Sequence, residues 1–188
     1  MKLLLMDLDD TLIDTALFKQ ALFQKLASVY DIDIEQVLQV YEDFRSKLDM
    51  DDWIYDFTMA FDQEVWFSSK DLERMGLPIV AHKEMVEFVK KFTGTKIIFS
   101  LGNIKLQKQK IELAQLKNLF NSIIITNKSK IDALKAWSQD GTLVIDNVRY
   151  DEVVLVDDNE PFLENVRELF PWITTLNPKQ MITKSPIN

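Results

Sequence analysis

Four places in the sequence put chemically capable residues at or just beyond the end of a short apolar run. Lys2–Met6 leads into Asp7-Leu8-Asp9-Asp10-Thr11-Leu12, and Lys96–Phe99 into Ser100-Leu101-Gly102-Asn103. Ser122–Ile125 is followed by Asn127-Lys128-Ser129-Lys130, and Val153–Val156 by Asp157-Asp158-Asn159. If the four runs are neighbouring parallel strands, these residues share one sheet edge, because ligands of open α/β sheets bind at the carboxyl ends of the strands. Carboxylates gathered there repel one another and resist ionisation unless a cation joins them. A hard divalent ion with oxygen ligands, Mg2+ above all, meets that need, with Asp7 and Asp158 supplying ligands from two strands. The same ion masks the charge of an incoming phosphate. With a nucleophilic carboxylate, a hydroxyl donor and a lysine, but no Gly-rich phosphate loop, the set suits phosphoryl transfer through an aspartyl phosphate.

The elements that must position these residues follow from periodicity. The four runs do not alternate in polarity, as expected of strands buried on both faces of a parallel sheet. Trp172–Leu176 adds a fifth, edge strand, and the tail after Asn177 reads as coil. Helical stretches at Lys83–Phe92, Ile104–Phe120 and Ile131–Trp137 lie between the strands, and another begins near Glu160 with Pro161 in its first turn. Strand–helix alternation of this kind implies a doubly wound α/β fold with a parallel sheet. Residues 15–79 break the alternation, with helical-period stretches at Ala16–Tyr30, Ile34–Lys47 and Trp53–Phe67 but no convincing strand. They read as a helical insertion after the first strand. It carries six Lys+Arg against thirteen Asp+Glu, or −7, while the rest of the chain carries sixteen against seventeen, or −1.

Composition excludes several chemistries. The 188 residues contain no Cys and one His, which removes disulfides, thiolate metal sites, cysteine nucleophiles and His-cluster zinc sites. A net charge of −8 argues against nucleic acid or an anionic membrane as partner. The first apolar run ends at Asp7, too short for a signal peptide, and no stretch reaches the ~18 apolar residues of a membrane span. A cytoplasmic location is the expectation.

Asp7-Leu8-Asp9-Asp10-Thr11-Leu12 resembles the DxDxT nucleophile motif of the haloacid dehalogenase (HAD) superfamily, and Ser100, Lys130 and the Asp157-Asp158 pair follow in that family's order. The likeness spans roughly residues 1–14 and 80–176. It implies a Rossmann-like α/β core formed by residues 1–14 and 80–188, with residues 15–79 as a helical cap of the C1 subclass. Such a cap closes over the site and expels water, here on hinges near Ile13–Leu17 and Leu77–Ala81. Carried over by position, Asp7 is the nucleophile. Asp9 protonates the leaving oxygen, then activates water, and lends its backbone carbonyl to Mg2+. Ser100 and Lys130 bind the phosphoryl oxygens; Thr11 is grouped with them, although its main work is to support the turn after the strand. Asp158 ligates Mg2+, with Asp157 behind it or paired with Lys130.

Three motifs depart from the usual pattern: Ser-Leu-Gly-Asn stands where Ser/Thr-Asn-Gly is commoner, Asp-Asp replaces Gly-Asp, and a Lys-Pro is missing. The last leaves Lys128 as an alternative to Lys130, which is preferred because Ile-Asp-Ala-Leu follows it as a helix start. An acid at Asp9 separates the chain from the family's dehalogenases, whose halide leaving group needs no proton. The implied activity is that of a Mg2+-dependent phosphatase acting on a small phosphorylated metabolite, such as a nucleotide or sugar phosphate. A phosphomutase of the same superfamily is the alternative, and a phospho-acceptor or binding module without catalysis is a further one. Oligomeric state is not readable from the sequence.

Elsewhere the plainer readings prevail. Trp53, Tyr55, Phe57, Phe61, Trp66 and Phe67 are spaced for the inside of a helical bundle. Asp49, Asp51 and Asp52 lack EF-hand spacing and read as a loop and helix N-terminus, His82 as a solvated side chain, and Ile104–Phe120 as a sheet-flanking helix with a wet face. The acidic insertion is expected to slow anionic substrates and favour neutral or cationic leaving groups.

Overall fold

The computed structural model describes residues 1–182. Strand β1 (Lys2–Met6) is followed by helices α1 (Thr15–Tyr30), α2 (Ile34–Phe44), α3 (Trp53–Met59) and α4 (Lys83–Lys91). Next come β2 (Thr95–Leu101), α5 (Ile104–Leu113), β3 (Ser122–Thr126) and α6 (Lys130–Trp137), then three short strands, β4 (Ser138–Gln139), β5 (Thr142–Ile145) and β6 (Val148–Tyr150). The chain continues through β7 (Glu152–Val156), α7 (Glu160–Leu169), β8 (Ile173–Leu176) and α8 (Pro178–Ile182).

Five strands form a parallel sheet in the order β3-β2-β1-β7-β8, so β1 is central. The apolar run of β1 supplies both faces of that sheet. Leu3 and Leu5 enter one core with Phe99, Leu155, Leu163 and Val166. Leu4 and Met6 enter the other, with Met85, Val89, Ile98 and Ile111. Residues hidden on both faces need no polar alternation, hence the unbroken Leu-Leu-Leu-Met. Register then assembles the sheet edge: Met6 pairs with Val156 and with Ile98. One residue further on, the Asp7 N–H donates to the Val156 carbonyl, which sets Asp7 beside Asp157.

The insertion has a core of its own. Phe18, Leu22 and Leu26 of α1 meet Val37 of α2 and Trp53, Ile54 and Phe57 of α3, with Leu106 and Leu113 of α5 packed against them. Phe57 is the hub: it stacks on Trp53 at 4.8 Å and meets Phe23, Tyr41, Phe44 and Phe61. Tyr55 and Trp66 stand outside this bundle, exposed. The two chain crossings between insertion and sheet run side by side. Asp14 N–H donates to the Val80 carbonyl and His82 N–H to that of Leu12, a short antiparallel ribbon. Among the described residues no helix is long and apolar enough to cross a membrane.

Five segments differ from the sequence expectation. Residues 138–150 form an antiparallel three-stranded sheet where none was expected. Its turns are Asp140-Gly141 and Asp146-Asn147, all four at positive φ between 49° and 72°, the two-residue hairpin geometry that Asp, Asn and Gly tolerate. The helix expected to run to Phe120 stops at Leu113. Gln115 adopts φ 55°, its N–H donates to Glu112 and that of Leu116 to Ile111, a Schellman closure with Gln in the place usually taken by Gly. The helices expected to reach Lys47 and Phe67 end at Phe44 and Met59. Pro178–Ile182 is a short helix, not coil; the remainder of the tail lies outside the described residues.

Candidate active site

Asp7 is buried at the end of β1, with Lys130, the first residue of α6, against it. The Lys130 ammonium lies 2.5 Å from Asp7 Oδ1 and 2.8 Å from Asp157 Oδ2, and Ser129 caps the helix that holds it there. The rings of Phe99 and Phe162 lie within 5.6 Å of the same nitrogen. Burial would lower the Lys130 pKa, but Asp7 and Asp157 outweigh it and push it up. Asp7 itself is pushed up to about 7: burial is the main cause, with Asp157 and Asp9 adding to it and Lys130 opposing. Asp158 is likewise raised, by burial and then by Asp157 and Asp10. Lys128 is exposed, and among the described residues only its backbone is engaged, by Thr126.

Carboxylate oxygens of Asp7, Asp157 and Asp158 lie within 4.8 Å of one another. Asp157 spends one oxygen on Lys130 and the other on the Asn159 N–H. Asp7 Oδ2 and the half-buried Asp158 are therefore the donors left for an ion. Hard oxygens, crowded and pushed up in pKa by burial and then by Asp157, suit a divalent cation such as Mg2+.

The carboxylate of Asp9 belongs to a separate cluster on α5. Lys110 Nζ sits 2.8 Å from Asp9 Oδ1, Thr15 Oγ1 donates to the same oxygen at 2.7 Å, and Gln107 Nε2 donates to Oδ2 at 2.6 Å. Burial pushes the Asp9 carboxyl up, but the Lys110 ammonium and these hydrogen bonds outweigh it and hold the group below its usual range. Gln107 Nε2 also lies 2.9 Å from Ser100 Oγ, tying the end of β2 to Asp9. Gly102 makes room for this: a Cβ there would lie 2.8 Å from Gln107 Nε2. Asp10, at φ 54°, turns the chain so that Thr15 can hydrogen-bond both acids.

Two cavities meet at Asp9, Asp10 and Leu101. The first, about 350 Å³, is lined by Asp7, Lys130, Asp157 and Asp158. The second, about 220 Å³, opens between α5 and the helices of the insertion. Thr11 borders neither. Leu12 and Ile13 N–H groups fold back onto the Leu8 carbonyl, which tucks Thr11 inside with its hydroxyl unpartnered. The structure thus does not bring Thr11 to the place expected for phosphate. Ser100 is buried behind the cavity wall, its hydroxyl accepting from Gln107.

Sequence reasoning missed Gln107 and Lys110, since Ile104–Phe120 was expected to turn its polar residues to water. The signal was their spacing. Asn103, Gln107 and Lys110 recur at i, i+4 and i+7, one helix face, and all three are buried.

No family model matches the chain, and no curated protein matches it. Solved structures share its fold. A protein of Burkholderia xenovorans LB400 described as a haloacid dehalogenase-like hydrolase is 16% identical with a TM-score of 0.65, covering 93% of this chain and 80% of that one. A Thermotoga maritima protein described as a β-phosphoglucomutase is 14% identical with a TM-score of 0.54, covering 97% of each. A HAD phosphatase of Thermococcus onnurineus is 21% identical with a TM-score of 0.50, covering 85% and 78%. The chain has the fold of the HAD-like hydrolases: a parallel five-stranded Rossmann-like sheet with helices on both faces.

Proposed function

We propose that this chain is a HAD-superfamily phosphatase, dependent on Mg2+, that hydrolyses a small phosphorylated molecule through an aspartyl phosphate on Asp7. The observation that carries the reading is Lys130, buried between Asp7 and Asp157 on one side of a cavity that Asp9 borders on the other. A structural ion pair needs no cavity beside it and no second acid pair within reach of the same space.

In the first half-reaction an Asp7 oxygen attacks phosphorus, the bond from phosphorus to the leaving oxygen breaks, and its electron pair stays on that oxygen. The proton that neutralises it leaves the Lys110 ammonium by way of the Asp9 carboxylate, and the proton taken from water in the second half-reaction restores it. In the second half-reaction water attacks the phosphorus of the aspartyl phosphate, its proton passes to Asp9, and Asp7 is released as carboxylate. Asp9, held ionised by Lys110, is poised for that second task. Lys130 offsets charge on the transferring oxygens, and Ser100, buried behind the cavity wall, keeps Gln107 aligned on Asp9. Asp7, Asp158 and the Asp9 carbonyl would hold Mg2+, which supplies neutralisation of the phosphoryl charge when bound. Residues 15–79 form the cap. An acidic chain of this kind is read as a cytoplasmic enzyme of small substrates, not a partner of nucleic acid or membrane.

The test is release of inorganic phosphate from a generic aryl phosphate with Mg2+, with EDTA, and by Asp7→Asn. EDTA and the substitution should each lower the rate at least ~100-fold, the scale expected of a lost nucleophile or metal. Unchanged release in either case overturns the proposal, and phosphoryl exchange between isomers without free phosphate would favour a mutase.

A further inference from the structure

The cavity of about 220 Å³ beside Asp9 has a wall that the composition of the insertion does not foretell. The insertion holds thirteen acids and six bases, yet none of those acids lines the cavity, whereas Lys19 and Arg45 do. Phe18, Phe23, Tyr41 and Trp53 make up its aromatic wall. The acids that face it, Asp9 and Asp10, come from the sheet edge. Asp9 is taken up by Lys110, and Asp10 Oδ1 accepts the Thr15 N–H. Lys19 has no carboxylate within 4.0 Å among the described residues; its ammonium sits 5.4 Å from the centre of the Tyr41 ring. Arg45, at the end of α2, meets Glu42 at 3.1 Å and stays exposed at the rim.

Resting on the phosphatase reading of the adjoining site, we infer that this cavity receives the leaving group, and that the leaving group is a single aromatic ring bearing an anionic substituent. Position follows from Asp9, which borders both cavities and handles the leaving oxygen. Size follows from volume: a cavity of roughly 150 Å³ admits benzene, so this one takes a ring and one small substituent. Charge follows from Lys19 and Arg45. A neutral or cationic ring would strip water from Lys19 and leave it only the Tyr41 side chain and the more distant Asp9 and Asp10, whereas a carboxylate would compensate it at close range. The expectation that an acidic insertion favours neutral or cationic leaving groups is reversed at the one wall where it counts.

Binding of three phenols that share a ring tests this without any turnover: 4-hydroxybenzoate, phenol and 4-hydroxybenzylamine, each titrated calorimetrically into the full chain. The benzoate should bind about tenfold more tightly than phenol, and the amine more weakly than phenol. Lys19→Met should collapse the benzoate preference, Lys19→Arg should restore it, and Arg45→Met, a change at an exposed position, should reduce it. Equal binding of the three, or preference for the amine, overturns the inference. Because no phosphate is released in this measurement, its outcome is independent of whether Asp7 turns over an aryl phosphate.

Discussion

Asp9 illustrates how one carboxylate receives its role from residues far along the chain. Lys110 and Gln107 reach it from α5, and the missing Cβ of Gly102 lets Gln107 lie across the strand end. Gly102→Ala should push Gln107 off Asp9 and lower kcat several-fold in a steady-state phosphate-release assay, because the glycine lies beneath Gln107. Lys110→Met should raise the Asp9 pKa, since the ammonium is what holds it down. The acid limb of the pH–rate profile for the hydrolytic half-reaction then moves to higher pH, a shift that stopped-flow release of phosphate would record. The wild-type pair also contributes to stability above the ordinary carboxylate pKa, and that contribution disappears as pH falls through the depressed value. Asp7, Lys130 and Asp157-Asp158 were legible in the sequence because each stands at or just past the end of an apolar run. Gln107 and Lys110 were not, because charged and amide residues at helical spacing ordinarily face water, and only tertiary packing shows that this face is turned inward.

At the scale of elements, α5 serves two cores at once: Ile111 packs on the sheet, Leu106 and Leu113 on the insertion. It also carries two links to the loop before α3, Asn103 Nδ2 to the Met50 carbonyl at 2.5 Å and Lys105 to Asp51 at 2.5 Å. The acidic triplet there divides by function. Asp52 caps α3 through the Tyr55 N–H and accepts from both the N–H and the hydroxyl of Ser69. Asp52→Ala should cost about 1–2 kcal/mol in urea unfolding. Asp51→Ala, at a side chain 89% exposed, should cost less than ~0.5 kcal/mol. Equal costs for the two would refute this division. The strands and most helices were readable from periodicity, but the three-stranded unit at 138–150 was not. Its strands are two to four residues long, too short for a period, and its only trace was a pair of turn dipeptides, Asp140-Gly141 and Asp146-Asn147.

For the whole molecule, the burial of Asp7 among other acids becomes a stability that depends on pH and metal. With its pKa pushed up from 3.8 to about 7, folded Asp7 binds more protons than unfolded Asp7 between those values. Stability of the metal-free protein therefore falls as pH rises through that window. Mg2+ competes with the proton and relieves the repulsion, so the rise in Tm on adding it should be larger at pH 8 than at pH 5.5. Asp7→Asn should remove most of that difference in differential scanning calorimetry. An equal Mg2+ effect at both pH values would mean that the ion does not meet Asp7.

The central place of β1 also sets a timetable. Its flanking strands begin at Thr95 and Glu152, so a growing chain makes Leu3–Met6 long before either neighbour exists. At synthesis rates of roughly 5–20 residues per second, the first neighbour arrives after about 5–20 s and the second later still. During that interval residues 15–79 are made while both edges of β1 lack a partner strand. Asp7 meets its lysine and its partner acids only when the last third of the chain has emerged. An unfinished polypeptide thus carries Asp7 without Lys130, Asp157 or Asp158 beside it.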